Sequence, residues 1–158
     1  MAPDIKTTAT IPQTVSPSPQ LSPSQINQDE LFSDTNIYRT QVGLASLTID
    51  DRLNQAASAK CADMVKYNYW SHTSPDQGGY ENFLIAAGLP KIHFGENLAE
   101  GQLAAIRVIH DWMNSDEHKA NILEPDFTSV GFAVCESRDY VANYELPTLI
   151  TVQDFAEL

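Results

Sequence analysis

The sequence predicts an α+β domain, with helices first and antiparallel strands last, and with the sheet covered on both faces. Three observations carry this. Through the first two thirds of the chain, apolar residues recur at three- and four-residue intervals, the period of a helix. From residue 130 onward the period falls to two, the period of a strand. Within 130–135 both alternating sets are apolar or small, Val130, Phe132 and Val134 against Gly131, Ala133 and Cys135. A strand of that kind has no face to give to water.

The elements follow in order. Leu31, Phe32, Thr35, Tyr38 and Arg39 have helical spacing from about Gln28, and Gly43 ends the helix. Asp50 is an N-cap for a second helix, whose inward stripe is Leu53, Ala56, Ala57, Cys61, Met64 and Val65. Residues 69–78 read as a loop punctuated by Pro75 and Gly78, and a short helix at 79–87 stops at Gly88. Residues 102–114 form a helix apolar on nearly every side, which predicts burial all round and makes His110 a packed histidine. Ser115 reads as the N-cap of a further helix carrying His118. Strands are expected at 130–135, 140–144 and 148–155, at intervals that suit antiparallel hairpins rather than parallel crossovers.

The chain has 158 residues, enough for one domain with a core. Its formal net charge of −12 argues against nucleic acid and against anionic membrane surfaces as partners, since both need clustered Lys and Arg. No apolar run approaches the roughly 18–20 residues of a membrane helix. Residues 1–27, rich in Pro, Ser, Thr and Gln, carry too little apolar surface to offset the entropy of ordering, and are expected to be a disordered linker ahead of a domain at 28–158. Such a segment suits the stalk of an exported protein whose signal peptide is absent from this chain, hence an extracellular or cell-surface location. A monomer is expected. The two cysteines have no zinc-type spacing. Cys61 lies on a small-residue helix stripe and Cys135 on a small-residue strand face, so the two form either one bridge or two buried thiols.

The residues that bear on chemistry are His72, Glu96 and His118, each inside a distinctive segment: Ser71-His72-Thr73-Ser74-Pro75, Gly95-Glu96-Asn97-Leu98 and His118-Lys119-Ala120-Asn121-Ile122-Leu123. With Asn36-Ile37-Tyr38-Arg39, the 53–64 helix, Trp112-Met113-Asn114-Ser115 and Val130-Gly131-Phe132, they stand in an order and at intervals that resemble the CAP superfamily: cysteine-rich secretory proteins, antigen 5 and pathogenesis-related 1 proteins, also called SCP domains. The bacterial branch is the nearest likeness, and it covers residues from about 30 to 158. The resemblance implies a three-layer α-β-α sandwich with a central antiparallel sheet, an exported protein, and a cleft that gathers two histidines and two glutamates. His72, Glu96 and His118 match three of the four. Where the second glutamate belongs stand Asn114 and Ser115, with Asp116 and Glu117 close by.

Several chemistries are open to such a cleft. His72 and His118, with Glu96 as third or outer partner, have the donor chemistry for zinc or another divalent cation. The same groups can instead pin loops together through hydrogen bonds. A zinc-bound water with Glu96 as base would make a metal-assisted hydrolase acting on peptide or cell-wall material, and Ser115 with His118 shares a helix face without an orienting third group. Trp70, Tyr69, Ser115 and Glu117 are expected at the cleft rim. Tyr67 belongs to the same aromatic patch, which can stack on a sugar or hold a lipid tail. His93, Glu81 and Asn82 are weaker candidates for the same region. The sequence reading is therefore an exported binding or interaction module for an extracellular ligand (peptide, lipid or cell-wall material), with hydrolysis as the competing class.

Overall fold

The structure, a computed structural model of the chain, describes residues 25–138 and 147–158. The linker up to residue 24 and the strand expected over 140–144 lie outside them. In chain order the elements are α1 (Gln28–Gln41), β1 (Thr48–Ile49), α2 (Asp51–Tyr67), β2 (Thr73–Ser74), β3 (Gly78–Gly79), α3 (Glu81–Ala86), β4 (Phe94–Glu100), α4 (Ala105–Met113), α5 (Asp116–Ile122), β5 (Ser129–Ser137) and β6 (Thr148–Ala156). The main sheet has the order β1-β5-β6-β4. α2 and α3 cover one face, and α1, α4 and α5 cover the other. This is the expected α-β-α sandwich.

Alternation along β5 decides which helix lies where. Val130 and Phe132 bury against the α1/α4/α5 layer, and Ala133 against α2. A Cβ on Gly131 would come within 2.4 Å of Asn54 N and of Leu53 Cβ, so only glycine lets α2 sit this close to the sheet. Cys61 and Cys135 are joined by a disulfide across this contact, with a Cα–Cα distance of 6.2 Å. The alternative of two separate thiols is removed. Asp50 caps α2 as expected, its side chain accepting from Arg52 N at 2.9 Å, and Asn68 ends the helix in the left-handed region at φ 55°.

Three expectations are corrected. The helix at 102–114 is α4, starting only at Ala105, and it buries one face (Ala105, Val108, Ile109 and Trp112) while Leu103 and Ile106 are exposed. His110 is accordingly exposed beside Asp111 and Asn114, not packed. Ser115 holds the N-cap position of α5, but its hydroxyl makes no cap bond. The sheet also contains one parallel pair, β1 with β5, two residues long, β1 being a strand that the sequence reading does not assign. Beyond these corrections, β4 is a strand that the sequence reading did not assign. Its residues are buried throughout, so neither a clean period of two nor a helical period marks it. Ile26, inside the segment read as linker, is buried in the core.

Polar side chains tie the α1/α4/α5 layer to the sheet. Arg39, 1% exposed, donates to the carbonyl oxygens of Ala45, Ile122, Glu124 and Phe127 at 2.8–3.1 Å. Asn36 makes a two-way amide pair with the backbone of Leu47. Asn97 donates to Gln153 Oε1 and to His118 O, and accepts from Asn121; Gln153 in turn donates to Thr35, whose hydroxyl donates to Leu31 O. This chain of bonds fixes α5, and with it His118, against β4.

Candidate functional site

Among the described residues β4 is an edge strand with only β6 beside it, and edge backbone groups have to be covered. Three side chains cover its carbonyls. Tyr80 OH donates to Phe94 O at 3.1 Å, Asn121 Nδ2 to Glu96 O at 3.1 Å, and the Trp112 indole N–H to Leu98 O at 2.9 Å. Along this edge lies a cavity of about 490 Å³. Trp70 and His72, from the segment after α2, line it together with Leu98 and Glu100 of β4 and with Ser115 and His118.

His72 and His118, 46 positions apart in sequence (118 − 72), therefore share one cavity. Each imidazole is engaged at Nδ1. His72 Nδ1 meets Glu96 Oε1 at 2.7 Å, and His118 Nδ1 meets Ser115 Oγ at 2.9 Å. A proton held on His72 Nδ1 by the carboxylate leaves Nε2 as an acceptor, and the same bond fixes the ring orientation. His118 is half-buried. Burial, then the neighbouring His72, push its pKa below the usual histidine value, with Glu117 opposing. It is a neutral hydrogen-bonding group at neutral pH.

Glu96 does not line the cavity. It sits behind His72 with its side chain fully buried, opposite Asp154 of β6 in the register. Both face α2, where Lys60 is 0% exposed. Lys60 Nζ donates to Tyr69 OH at 3.0 Å and to Ser71 O at 2.8 Å, and lies over the rings of Tyr69 and Phe83. Glu96 Oε2 and both carboxylate oxygens of Asp154 have no hydrogen-bond partner among the described residues. Desolvation raises the pKa of both acids; His72 and Lys60 oppose it at Glu96, while at Asp154 the charge of Glu96 adds to it and Lys60 opposes. The two buried acids facing one ammonium therefore titrate as a pair rather than one by one.

The remaining candidates divide. Trp70, Ser115 and Glu117 line the cavity. Tyr69 does not: its hydroxyl bonds Asp63 at 2.5 Å and takes a bond from Lys60, so it is an internal strut. Tyr67 is exposed and bonded to Lys66 and Asp76. His93 packs on Phe127, 4.6 Å between ring centroids. Asn82 donates to Gln77 O in the β2–β3 turn. Among the described residues, no three His, Cys, Asp or Glu side chains are grouped so that they could hold a metal ion. Glu96 is spent on His72, and Asn114 bonds His110 rather than supplying a carboxylate. The donor set thus falls short of a three-ligand centre.

The sequence reading missed Lys60, Asp154 and Glu100. Lys60 had a visible signal, being the one cation on the buried stripe formed by Ala56, Ala57, Cys61 and Met64. Asp154 sits next to Phe155 in an otherwise uncharged strand, where a buried acid needs a reason.

Residues 32–155 match the CAP family, described as the cysteine-rich secretory protein family. The chain belongs to that family. An uncharacterized protein of Bacillus subtilis (strain 168), YkwD, is 37% identical over 118 residues, which is 73% of this chain and 46% of the relative. An extracellular protein of Bacillus anthracis str. Ames containing an SCP domain has 27% identity and a TM-score of 0.70, over 82% of this chain and 40% of that one. An outer surface protein of Borrelia burgdorferi shares the fold at 23% identity and a TM-score of 0.70, over 81% of this chain and 90% of that one. The chain spans less than half the length of the curated relatives it matches. No helix among the described residues is long and apolar enough to cross a membrane.

Proposed function

We propose that this CAP domain is an exported binding module whose cleft takes an extended polar ligand of peptide or cell-wall type. The carrying observation is the pair of imidazoles in one cavity, each anchored at Nδ1 by its own partner. Rings held in that way present Nε2 in fixed directions at no reorganisation cost, as recognition of polar groups requires. Trp70 and Trp112 add flat apolar walls. The Cys61–Cys135 disulfide supports an oxidising compartment, and the extracellular and outer-surface descriptions of the structural neighbours point the same way. A lipid ligand fits less well, because a cavity carrying Glu100, Glu117 and two imidazoles offers an acyl chain no continuous apolar lining.

The test is titration of the ¹⁵N-labelled full chain with soluble muropeptides from purified bacterial cell wall and, separately, with unstructured tripeptides. Saturable shifts at the cleft residues, weakened at least about tenfold in the His72→Ala/His118→Ala double variant, are expected. Absence of saturable shifts with both probes, or equal affinity in the double variant, overturns the reading.

Hydrolysis has one observation in its favour, the 2.9 Å contact between Ser115 and His118. A nucleophile–base pair of that kind needs a group behind the base to hold its tautomer. Glu96, buried behind the cleft, bonds the other histidine, and Ser115 is the one side-chain hydrogen-bond partner of His118 among the described residues. Ester or amide turnover by the wild type that disappears in Ser115→Ala would promote this reading over binding alone.

A further inference from the structure

A second cavity of about 330 Å³ adjoins the first and shares Glu100, Gln102 and Asp111 with it; Leu103 and Arg107 line its far part. Glu100 stands at the junction. It is only 8% exposed, its Oε2 is fully buried, and that oxygen has no hydrogen-bond partner among the described residues. Its carboxyl makes no ion pair with any described residue. Arg107, the cation in the second cavity, acts on Asp111 instead, and Asp111 also accepts from Gln102 Nε2 at 3.0 Å. A buried carboxylate oxygen without a partner is costly to the free protein.

The surroundings select the partner that would satisfy it. Among the described residues, Glu100, Asp111 and Glu117 line the first cavity without a lysine or arginine, and His118 beside them is neutral. The local potential is therefore negative within a chain of net charge −12. The walls next to Glu100 are apolar: Leu98, Ala99 and Trp112 in one cavity, Leu103 in the other. An acid set among methylene-compatible walls suits a charged head on an aliphatic stem. Of the two acids shared by the cavities, Asp111 already has Gln102 and Arg107, so Glu100 is left to meet a group carried midway along a longer ligand.

We propose that Glu100 is the anchor for a primary alkylammonium group, of the lysine side-chain type, on the ligand that occupies the cleft. This rests on the cleft being a ligand site and names the ligand's chemistry: a peptide or glycopeptide bearing a free side-chain amine. Desolvation, which lifts the Glu100 pKa to about 7, agrees with a carboxylate lacking its cation.

The experiment uses the ¹⁵N-labelled full chain at about 0.15 M ionic strength, where loose surface pairing is screened. Nα-acetyl-lysine methylamide and Nα-acetyl-norleucine methylamide, which differ only in the ammonium group, are titrated into wild type, Glu100→Gln and the surface control Glu157→Gln. The lysine probe is expected to shift the amides of residues 98–102 and the Trp112 indole saturably. The norleucine probe should bind at least about tenfold more weakly, and so should the lysine probe to Glu100→Gln, with Glu157→Gln like wild type. Equal binding of the two probes, undiminished binding to Glu100→Gln, or no saturable shift with the lysine probe overturns the proposal. If Glu100→Gln does not fold, the two-probe comparison on wild type decides alone. Muropeptide binding that depends on His72 and His118 but is indifferent to the lysine probe would sink the amine anchor and leave the cleft reading standing. Loss of both would remove the cleft reading as well.

Discussion

The two faces of the sheet bury polar groups in opposite ways. Toward α1, α4 and α5, Arg39, Thr35, Asn97, Asn121 and Gln153 form closed sets of hydrogen bonds. Toward α2, Lys60, Glu96 and Asp154 are buried together, and three carboxylate oxygens have no partner. The first face uses amides and a guanidinium, whose hydrogen-bonding capacity does not change with pH. The second uses titratable groups, and it is fastened by a disulfide rather than by a polar network. One face fixes α5 in place. The other keeps a buried acid behind the exposed imidazole of His72. The segments that identify the family by sequence serve mostly the first face: Asn36 and Arg39, Asn97, and Asn121 are structural ties.

The largest expected effect breaks the closed face. Arg39→Ala leaves four backbone carbonyls without their donor, and each orphaned group costs about 1–3 kcal/mol. We expect a loss of at least about 4 kcal/mol in urea unfolding, seen as a lower midpoint at unchanged slope. A loss under about 1 kcal/mol would mean that water replaces the guanidinium easily and that the contrast between faces is overstated.

Next comes the covalent tie of the other face. Cys61→Ser/Cys135→Ser opens a loop with a sequence separation of 74, for which the chain-entropy model gives about 4 kcal/mol, an upper figure where the unfolded state keeps structure. Unfolding of the reduced wild type should match the double variant. If reduction instead leaves the midpoint in place, packing of Ala56, Ala57 and Gly131 holds α2 without help.

Asp154→Asn has the opposite sign. The folded-state pKa of Asp154 is raised, so between the unfolded and folded values the native state binds more protons than the unfolded one. Stability from this group is thus present at low pH and lost as pH rises through the folded pKa. Asn removes that loss. The variant should equal wild type near pH 4 and exceed it by about 1 kcal/mol or more near pH 8. Glu100→Gln should behave likewise, with its gain appearing across pH 4.5 to about 7. A variant less stable than wild type at pH 8 would show that Asp154 is ionised and held by Lys60, making the α2 face as well paired as the other.

Much of the scaffold on both faces could be read from sequence, and little of the charge buried on the second. Helical and strand periods place α1, α2, β5 and β6, and the Ser115 start signal with its nearby acids places α5. β4 escapes because all seven of its residues are buried, polar ones included. α4 misleads in the other direction: Leu103 and Ile106 are apolar yet exposed, so composition alone overstates its burial. In the site, His72 and His118 are visible as residue types in distinctive segments, but their sharing of one cavity is a property of the fold. Glu100 and Asp154 are anonymous acids in sequence. Their meaning lies in what fails to reach them, and no local pattern encodes the absence of a partner.

The smallest expected effect concerns the cleft itself and joins the two faces. His118 hangs from the closed network through its backbone oxygen, yet its ring stands among the acids of the cavity. Its pKa lies below the usual 6.5, through burial first and the nearby His72 second. Its neutral form is therefore favoured by folding: the contribution to stability is full above about pH 6.5 and declines as pH falls toward the folded value. Ring resonances followed by NMR from pH 8 to pH 4.5 should give a midpoint below that of a histidine peptide. Substituting His72→Ala removes the second cause and should raise the midpoint part of the way, leaving the share due to burial. Glu117→Gln removes the opposing carboxylate and should lower it. A His118 midpoint that does not respond to either change would mean that the two imidazoles do not sense each other across the cavity, and the cleft would then be two separate surface features, each with a single histidine.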